Sequence, residues 1–200
     1  MLLNRLEFAL MNNPVRAVFQ RRFEAPRLLA MGGAMAGGRA LEMGCGRGIG
    51  IGLILDQFRA DSVDAFDLDP RMVDLARTRM KSRAFRVRLW VGDAGAIPVE
   101  TNTYDAVFDF GIIHHVPDWR QSLVEIHRVL KPGGQFYAEE VLSRFVTNSV
   151  VRRLLRHPQP DRFDSNQFCR ALDDIGLTTE STREMLGTFF WVTATKKRIG

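Results

Sequence analysis

Glycines and carboxylates at fixed spacing define the chemistry open to this chain. Glu42-Met43-Gly44-Cys45-Gly46-Arg47-Gly48 places glycines on alternate positions after a short apolar run, where a strand must turn sharply into a helix. Glycine tolerates the positive φ of such a turn, and the N–H groups at the start of the next helix favour a negatively polarised ligand atom. About 20 residues further on, the next apolar run ends at Asp67, where a carboxylate can accept both hydroxyls of a ribose. The third run ends in Gly92-Asp93-Ala94, so three strand ends and three carboxylates converge on one crevice. The dinucleotide pattern GxGxxG requires a third glycine where this chain has Ile49, and Glu42 would repel a diphosphate but attract an ammonium.

The elements that must position these residues follow from periodicity. From Arg39 onward, apolar runs alternate with helical patterns, which predicts βαβ units and a parallel sheet. Strands are expected at Ala40 to Met43, Val63 to Asp67, Val87 to Val91, Tyr104 to Phe110 and Gln135 to Glu140. Pro70 opens one helix, while Asp118 opens another that Pro132-Gly133-Gly134 is expected to end. Asn166 to Ile175 reads as a last helix, closed by Gly176. Two further strands, Thr179 to Met185 and Thr188 to Thr195, are joined at Gly187, which makes the last strand antiparallel. The expected fold is therefore α/β: a doubly wound, seven-stranded, Rossmann-like sheet with helices on both faces. Its domain is assigned to residues 37–200, with a cap-like insertion over 142–164, and residues 1–36 form an N-terminal helical cap with a basic amphipathic stretch from Pro14 to Leu29.

These runs, together with Phe66-Asp67-Leu68-Asp69-Pro70, Tyr104-Asp105-Ala106-Val107-Phe108, Ile113-His114-His115-Val116-Pro117-Asp118 and Glu125-Ile126-His127-Arg128-Val129-Leu130-Lys131-Pro132-Gly133-Gly134, resemble the class I S-adenosylmethionine-dependent methyltransferases. The subgroup resembled has small-molecule, quinone and lipid substrates and a type 11-like methyltransferase domain. The resemblance covers roughly residues 39 to 141. It implies S-adenosylmethionine as the cofactor, with Gly44, Gly46 and Gly48 under its methionine part and Glu42 at its ammonium. It further implies Asp67 on the ribose diol, Leu68 and Met72 around the adenine, Asp93 and Ala94 at the adenine amino edge, and the backbone of Asp109 and Phe110 along the sulfonium side. Cys45 stands where small residues are usual.

Methyl transfer from a sulfonium is an in-line displacement, so alignment and desolvation dominate and a base is needed only if the acceptor must lose a proton. His115 follows the fourth strand near the expected methyl position and reads either as a base or orienting group, or as a packing residue of that loop. Glu139 and Glu140 end the fifth strand on opposite faces, so one at most looks into the cleft, and Glu140 is taken with His115 as the catalytic pair. His157, in a polar stretch of the insertion, is a further group that could reach the acceptor or simply be solvated.

Composition bounds the rest. Two hundred residues with 46% hydrophobic content suit one domain, and Cys45 and Cys169 lie in no disulfide or zinc pattern, so no metal is expected and a reducing cytoplasm fits. The start has no signal-peptide pattern. A net charge of +5 is spread over scattered arginines, which favours a solvated basic surface over a nucleic-acid footprint. The expected function is methylation of an O, N or C atom of a small, lipophilic metabolite. The alternatives are a membrane-associated lipid or quinone methyltransferase, peripheral membrane contact through residues 1–29, and a nucleic-acid methyltransferase. The last would call for an Asn/Asp-Pro-Pro-aromatic motif where this chain has Asp109-Phe110-Gly111-Ile112.

Overall fold

A computed structural model of the chain describes residues 13–142 and 162–198. His157 and most of the expected 142–164 insertion lie outside the described residues. Seven strands, β1 (Arg39–Met43), β2 (Ser62–Asp67), β3 (Val87–Val91), β4 (Tyr104–Phe110), β5 (Leu130–Val141), β6 (Leu177–Met185) and β7 (Phe189–Lys196), form one sheet in the order β3-β2-β1-β4-β5-β7-β6. The first five are parallel, and β7 pairs antiparallel with both β5 and β6. The sheet reverses its winding between β1 and β4, and the carboxyl ends of the strands there form the crevice in which such folds hold ligands. The hairpin closing the chain turns through Leu186 and Gly187, both at positive φ (57° and 60°), the geometry that matches strand twist.

Helices cover both faces because β1, β2 and β4 are apolar on both sides. On one face lie α1 (Pro14–Phe19), α2 (Ala25–Gly32), α3 (Ile49–Asp56) and α4 (Pro70–Arg79), which bury Leu28, Ile51, Ile54 and Ala76 with Phe58, Phe108 and Tyr137. On the other lie α5 (Trp119–Val129) and α6 (Ser165–Asp174), which bury Leu123, Ile126, Phe168 and Leu172 against Phe136 and Phe190. The starts of α4, α5 and α6 are capped by Asp69, Asp118 and Asp164, each accepting from a backbone N–H of its own first turn.

Most strand and helix limits shift by one or two residues, and the largest departure is where the fifth strand begins. Helix α5 stops at Val129 and β5 begins at once with Leu130, so Pro132-Gly133-Gly134 sits inside the strand, where the pairing with β4 shifts register between Tyr104 and Ala106. The carbonyls at the end of α5 need no glycine cap, because Asn102 and Thr103 donate to Arg128 O and Val129 O, and Lys196 Nζ donates to His127 O and Leu130 O. These partners are remote in sequence, so local turn chemistry gave the wrong end point.

The N-terminal helix is docked on the sheet. A π-helical segment, Gln20–Glu24, joins α1 to α2. The Tyr137 hydroxyl donates toward the carbonyls of Gly32 and Gly33 at 3.1 and 3.0 Å, Arg27 lies over the Trp191 ring at 4.3 Å, and Met35 N donates to Phe58 O. A side chain at Gly32 would meet Tyr137 Cε1 at 2.5 Å, so the close approach of helix to sheet depends on that glycine. Among the described residues, no helix is long and apolar enough to cross a membrane.

Candidate active site

The turn after β1 is built as its composition requires. Gly44, Gly46 and Gly48 all take positive φ (64°, 48° and 80°), and Gly48 is the left-handed N-cap of α3. Asp67, at the end of β2, holds this turn: its carboxylate accepts from Gly46 N and Asp69 N, each at 2.9 Å. Cys45 N donates to Phe66 O at 2.8 Å, and burial pushes its thiol far above its ordinary pKa, which disfavours the thiolate that a nucleophile needs. Glu42 lies beneath the turn, buried, with Oε1 against α3 where any side chain at Gly50 would collide. Its Oε2 has no hydrogen-bond partner, and burial, followed by the charge of Asp67, holds its carboxyl well above the usual carboxylate range.

A cleft opens over these groups at the carboxyl ends of β1, β2, β3 and β4. Glu42, Gly44, Cys45, Gly46, Asp67, Leu68, Met72, Asp93, Ala94, Phe110 and His115 all line it, so the structure brings together eleven of the fourteen residues singled out from sequence. Phe66 stacks on Trp90 at 5.4 Å below its β3 side, and the Asp93 carboxylate accepts from Gly95 N at 2.8 Å, fixing the turn there.

The remaining three lie elsewhere. A Cβ at Gly48 would meet the α4 backbone at Ala76 Cα, 3.2 Å away, so this glycine serves helix packing. Asp109 and Glu140 are completely buried on the α5 face, behind the cleft wall. Asp109 accepts from Ile112 N at 2.8 Å, and Glu140 accepts from Ile113 N at 2.7 Å and His114 N at 3.2 Å, with His114 Nδ1 2.5 Å from its Oε2. Burial, then the neighbouring charge of Glu140, raises Asp109 well above its ordinary pKa, and burial pushes Glu140 up to about 7. The expectation that Glu140 faces the acceptor is therefore corrected: alternation along β5 turns it away, and it pins the loop that carries His115. Its neighbour on β5, Glu139, faces the N-terminal helix, with its Oε2 3.5 Å from Arg16 Nη2, while Arg16 also grips Glu24 at 2.5 and 2.6 Å.

Arg16 and Gln20 form a wall of the cleft that the sequence reading did not single out. A signal was present: Arg16, Gln20 and Glu24 recur every four residues, a polar stripe on the face of the helix that turns out to be inward. Ile112, Val116 and Pro117 also line the cleft, as does His115. Ile112 sits so close to the glycine turn that a Cβ on Gly44 would lie 2.3 Å from its Cγ2. Gly44→Ala is accordingly expected to lower stability by about 2–4 kcal/mol, from the left-handed φ and the clash together, read as a shifted urea midpoint at unchanged slope.

Residues 40–134 match the family model for the methyltransferase domain. A probable S-adenosylmethionine-dependent methyltransferase of Mycolicibacterium smegmatis is 38% identical over 155 residues, 77% of this chain and 56% of that protein. The chain carries a methyltransferase domain. A fatty-acid O-methyltransferase from the same organism is 31% identical over 122 residues, covering 61% of this chain and 44% of the relative. An S-adenosylmethionine-dependent methyltransferase from Aquifex aeolicus shares the fold, with a TM-score of 0.74 at 20% identity over 94% of this chain and 96% of that one. The chain spans about half the length of the curated relatives it matches, 40%, 44% and 56% for the first three.

The cleft's chemistry suits S-adenosylmethionine, the cofactor in the name of the Mycolicibacterium smegmatis relative. A buried carboxylate oxygen without a partner, at Glu42, asks for a cation or a donor, and a Cβ at Gly46 would meet nothing within 4 Å, leaving bare backbone facing open space. Asp67 spends one hydrogen bond per oxygen on the turn and retains acceptor capacity on both.

Proposed function

We propose that this chain binds S-adenosylmethionine in the cleft and methylates a small, lipophilic acceptor. The observation that carries this reading is Glu42, a buried carboxylate with an unpartnered oxygen beneath a left-handed glycine turn, facing Asp67 across the same cleft. When bound, the cofactor supplies an electrophilic methyl group on a positively charged sulfur. The residues around it hold and shield. Glu42 takes the ammonium, Asp67 the ribose diol, and Leu68, Met72, Asp93 and Ala94 enclose the adenine. The N-terminal helix caps the cleft, with Arg16 and Gln20 excluding water from the acceptor side. His115 is the wall residue placed to orient an acceptor hydroxyl or accept its proton, and Glu140 acts only through the loop it pins. The apolar lining from Ile112, Val116 and Pro117 suits an acyl or isoprenoid-like acceptor, and the fatty-acid O-methyltransferase among the relatives supports that class. A nucleic acid is disfavoured because Asp109-Phe110-Gly111-Ile112 offers no flipped-base clamp.

The test is calorimetric titration with S-adenosylmethionine. Burial and the charge of Asp67 raise the Glu42 carboxyl well above its ordinary pKa and a bound ammonium favours its ionised form, so binding is expected to release protons and to tighten as pH rises. The release is read from the dependence of the heat on buffer ionisation enthalpy. Glu42→Gln should abolish it and weaken binding about tenfold or more. Absence of binding by the wild type would remove the proposal, and binding without proton release would remove the role given to Glu42.

A further inference from the structure

The outward face of the N-terminal helix is unlike the rest of the surface. Its inward residues, Gln20, Glu24, Ala25 and Leu28, are buried, whereas Val15 and Val18 of α1 and Phe23 of the π-helical segment that follows it are 72%, 53% and 53% exposed. Arg21 and Arg22 are exposed among them. The glycine turn adds cations beside this face: Arg47 Nη2 lies 3.4 Å from Asn13 O at the helix start, and Arg79 Nε donates to Arg47 O at 2.9 Å. The pKa of Arg79 is lowered first by burial and then by the charges of Arg47 and Arg21, so both of those guanidinium groups lie within reach of Arg79. Arg47 also lines the cleft, so the patch borders its mouth.

We propose that this face, Val15, Val18 and Phe23 ringed by Arg21, Arg22, Arg47 and Arg79, docks on the surface of a bilayer containing anionic lipid and presents the cleft to it. A surface helix with exposed apolar side chains among arginines buries the former at the acyl boundary and sets the latter among headgroup phosphates. A second copy of the chain fits poorly, because a two-fold contact would set the same guanidinium cluster against itself. A nucleic acid would satisfy the arginines but leave two valines without a partner. The docking rests on the lipophilic acceptor proposed above, which a bound bilayer would deliver without passage through water.

The full chain, its two arginine-to-glutamine changes (Arg21→Gln with Arg22→Gln), and its two valine-to-serine changes (Val15→Ser with Val18→Ser) are co-sedimented with phosphatidylcholine vesicles, with and without phosphatidylglycerol. The wild type is expected to pellet with the anionic vesicles and not with the neutral ones. The arginine variant should bind about tenfold more weakly at low salt, and the valine variant should weaken comparably while keeping the wild-type salt dependence. Melting temperature and S-adenosylmethionine titration are followed in parallel, since all four positions lie outside the core and the cofactor cleft; Phe23→Ser replaces the valine variant if that one melts early. Wild type that stays in the supernatant with anionic vesicles overturns the docking even if it binds the cofactor. So does tighter binding to RNA than to vesicles that is indifferent to the valine change. Loss of cofactor binding with vesicle binding intact would instead strike the cleft assignment alone.

Discussion

Asp67→Ala is expected to weaken S-adenosylmethionine binding by at least about a hundredfold, the largest effect of any single cofactor-site change, because charge-assisted hydrogen bonds contribute about 1.5–3 kcal/mol each and the carboxylate is assigned two of them to the ribose. A second loss adds to the first. The same carboxylate accepts from Gly46 N and Asp69 N, so its removal frees the glycine turn that the cofactor must lie against. Asp67→Asn separates the two: an amide still offers one acceptor oxygen to the turn and a donor to the ribose, so an intermediate loss of about tenfold is expected. Calorimetric titration of both variants checks this, and an Asp67→Ala protein with wild-type affinity would show that the ribose lies elsewhere.

The largest effect on stability is expected at Glu140. Its carboxyl is fully buried, accepts from two consecutive N–H groups of the loop after β4, and touches the His114 ring. Truncation to alanine leaves those donors without a partner and opens a cavity, a combination that costs about 3–5 kcal/mol. For a domain of this size the melting temperature should fall by about 10 °C, and the cleft wall formed by Ile112, His115 and Val116 should loosen with it. Glu140→Gln keeps an acceptor for Ile113 N and can donate to Asp109, so it should stay close to wild type.

The pH dependence distinguishes these variants further. Burial raises Glu140 in the folded protein from an ordinary 4.5 to about 7, so between those values the folded state holds a proton that the unfolded chain has lost. Wild-type stability therefore falls as pH rises through that window, and the glutamine variant, which has no such proton to lose, should gain on the wild type between about pH 5 and pH 8. Urea unfolding at the two ends measures the difference. A constant gap would show that Glu140 ionises in the folded protein as it does in the unfolded chain.

What the sequence made legible is local backbone chemistry and strand periodicity. Strands β3 and β4 fall on their expected limits, and the antiparallel ending follows from the tight turn expected at Gly187, which lies with Leu186 at positive φ between the paired Met185 and Phe189. Gly44 and Gly46 could be placed in the cleft from sequence because a strand that must turn within a few residues needs positive φ there, whatever surrounds it. Asp67 and Asp93 followed because a carboxylate at a strand's carboxyl end in a doubly wound sheet faces the crevice by topology.

Tertiary structure alone decided which neighbouring groups reach that crevice. Alternation says that Glu139 and Glu140 point to opposite faces, but which face holds the cleft wall and which holds a buried support depends on where the loop of Ile113 and His114 lies. The end of α5 was misjudged for the same reason, since its carbonyls are capped by Asn102, Thr103 and Lys196, which come from two other elements. The outer wall of the cleft is the clearest case. Arg16 meets Glu139 across more than half the chain, and no short-range pattern encodes a contact whose two partners become neighbours only when the N-terminal helix docks on the finished sheet.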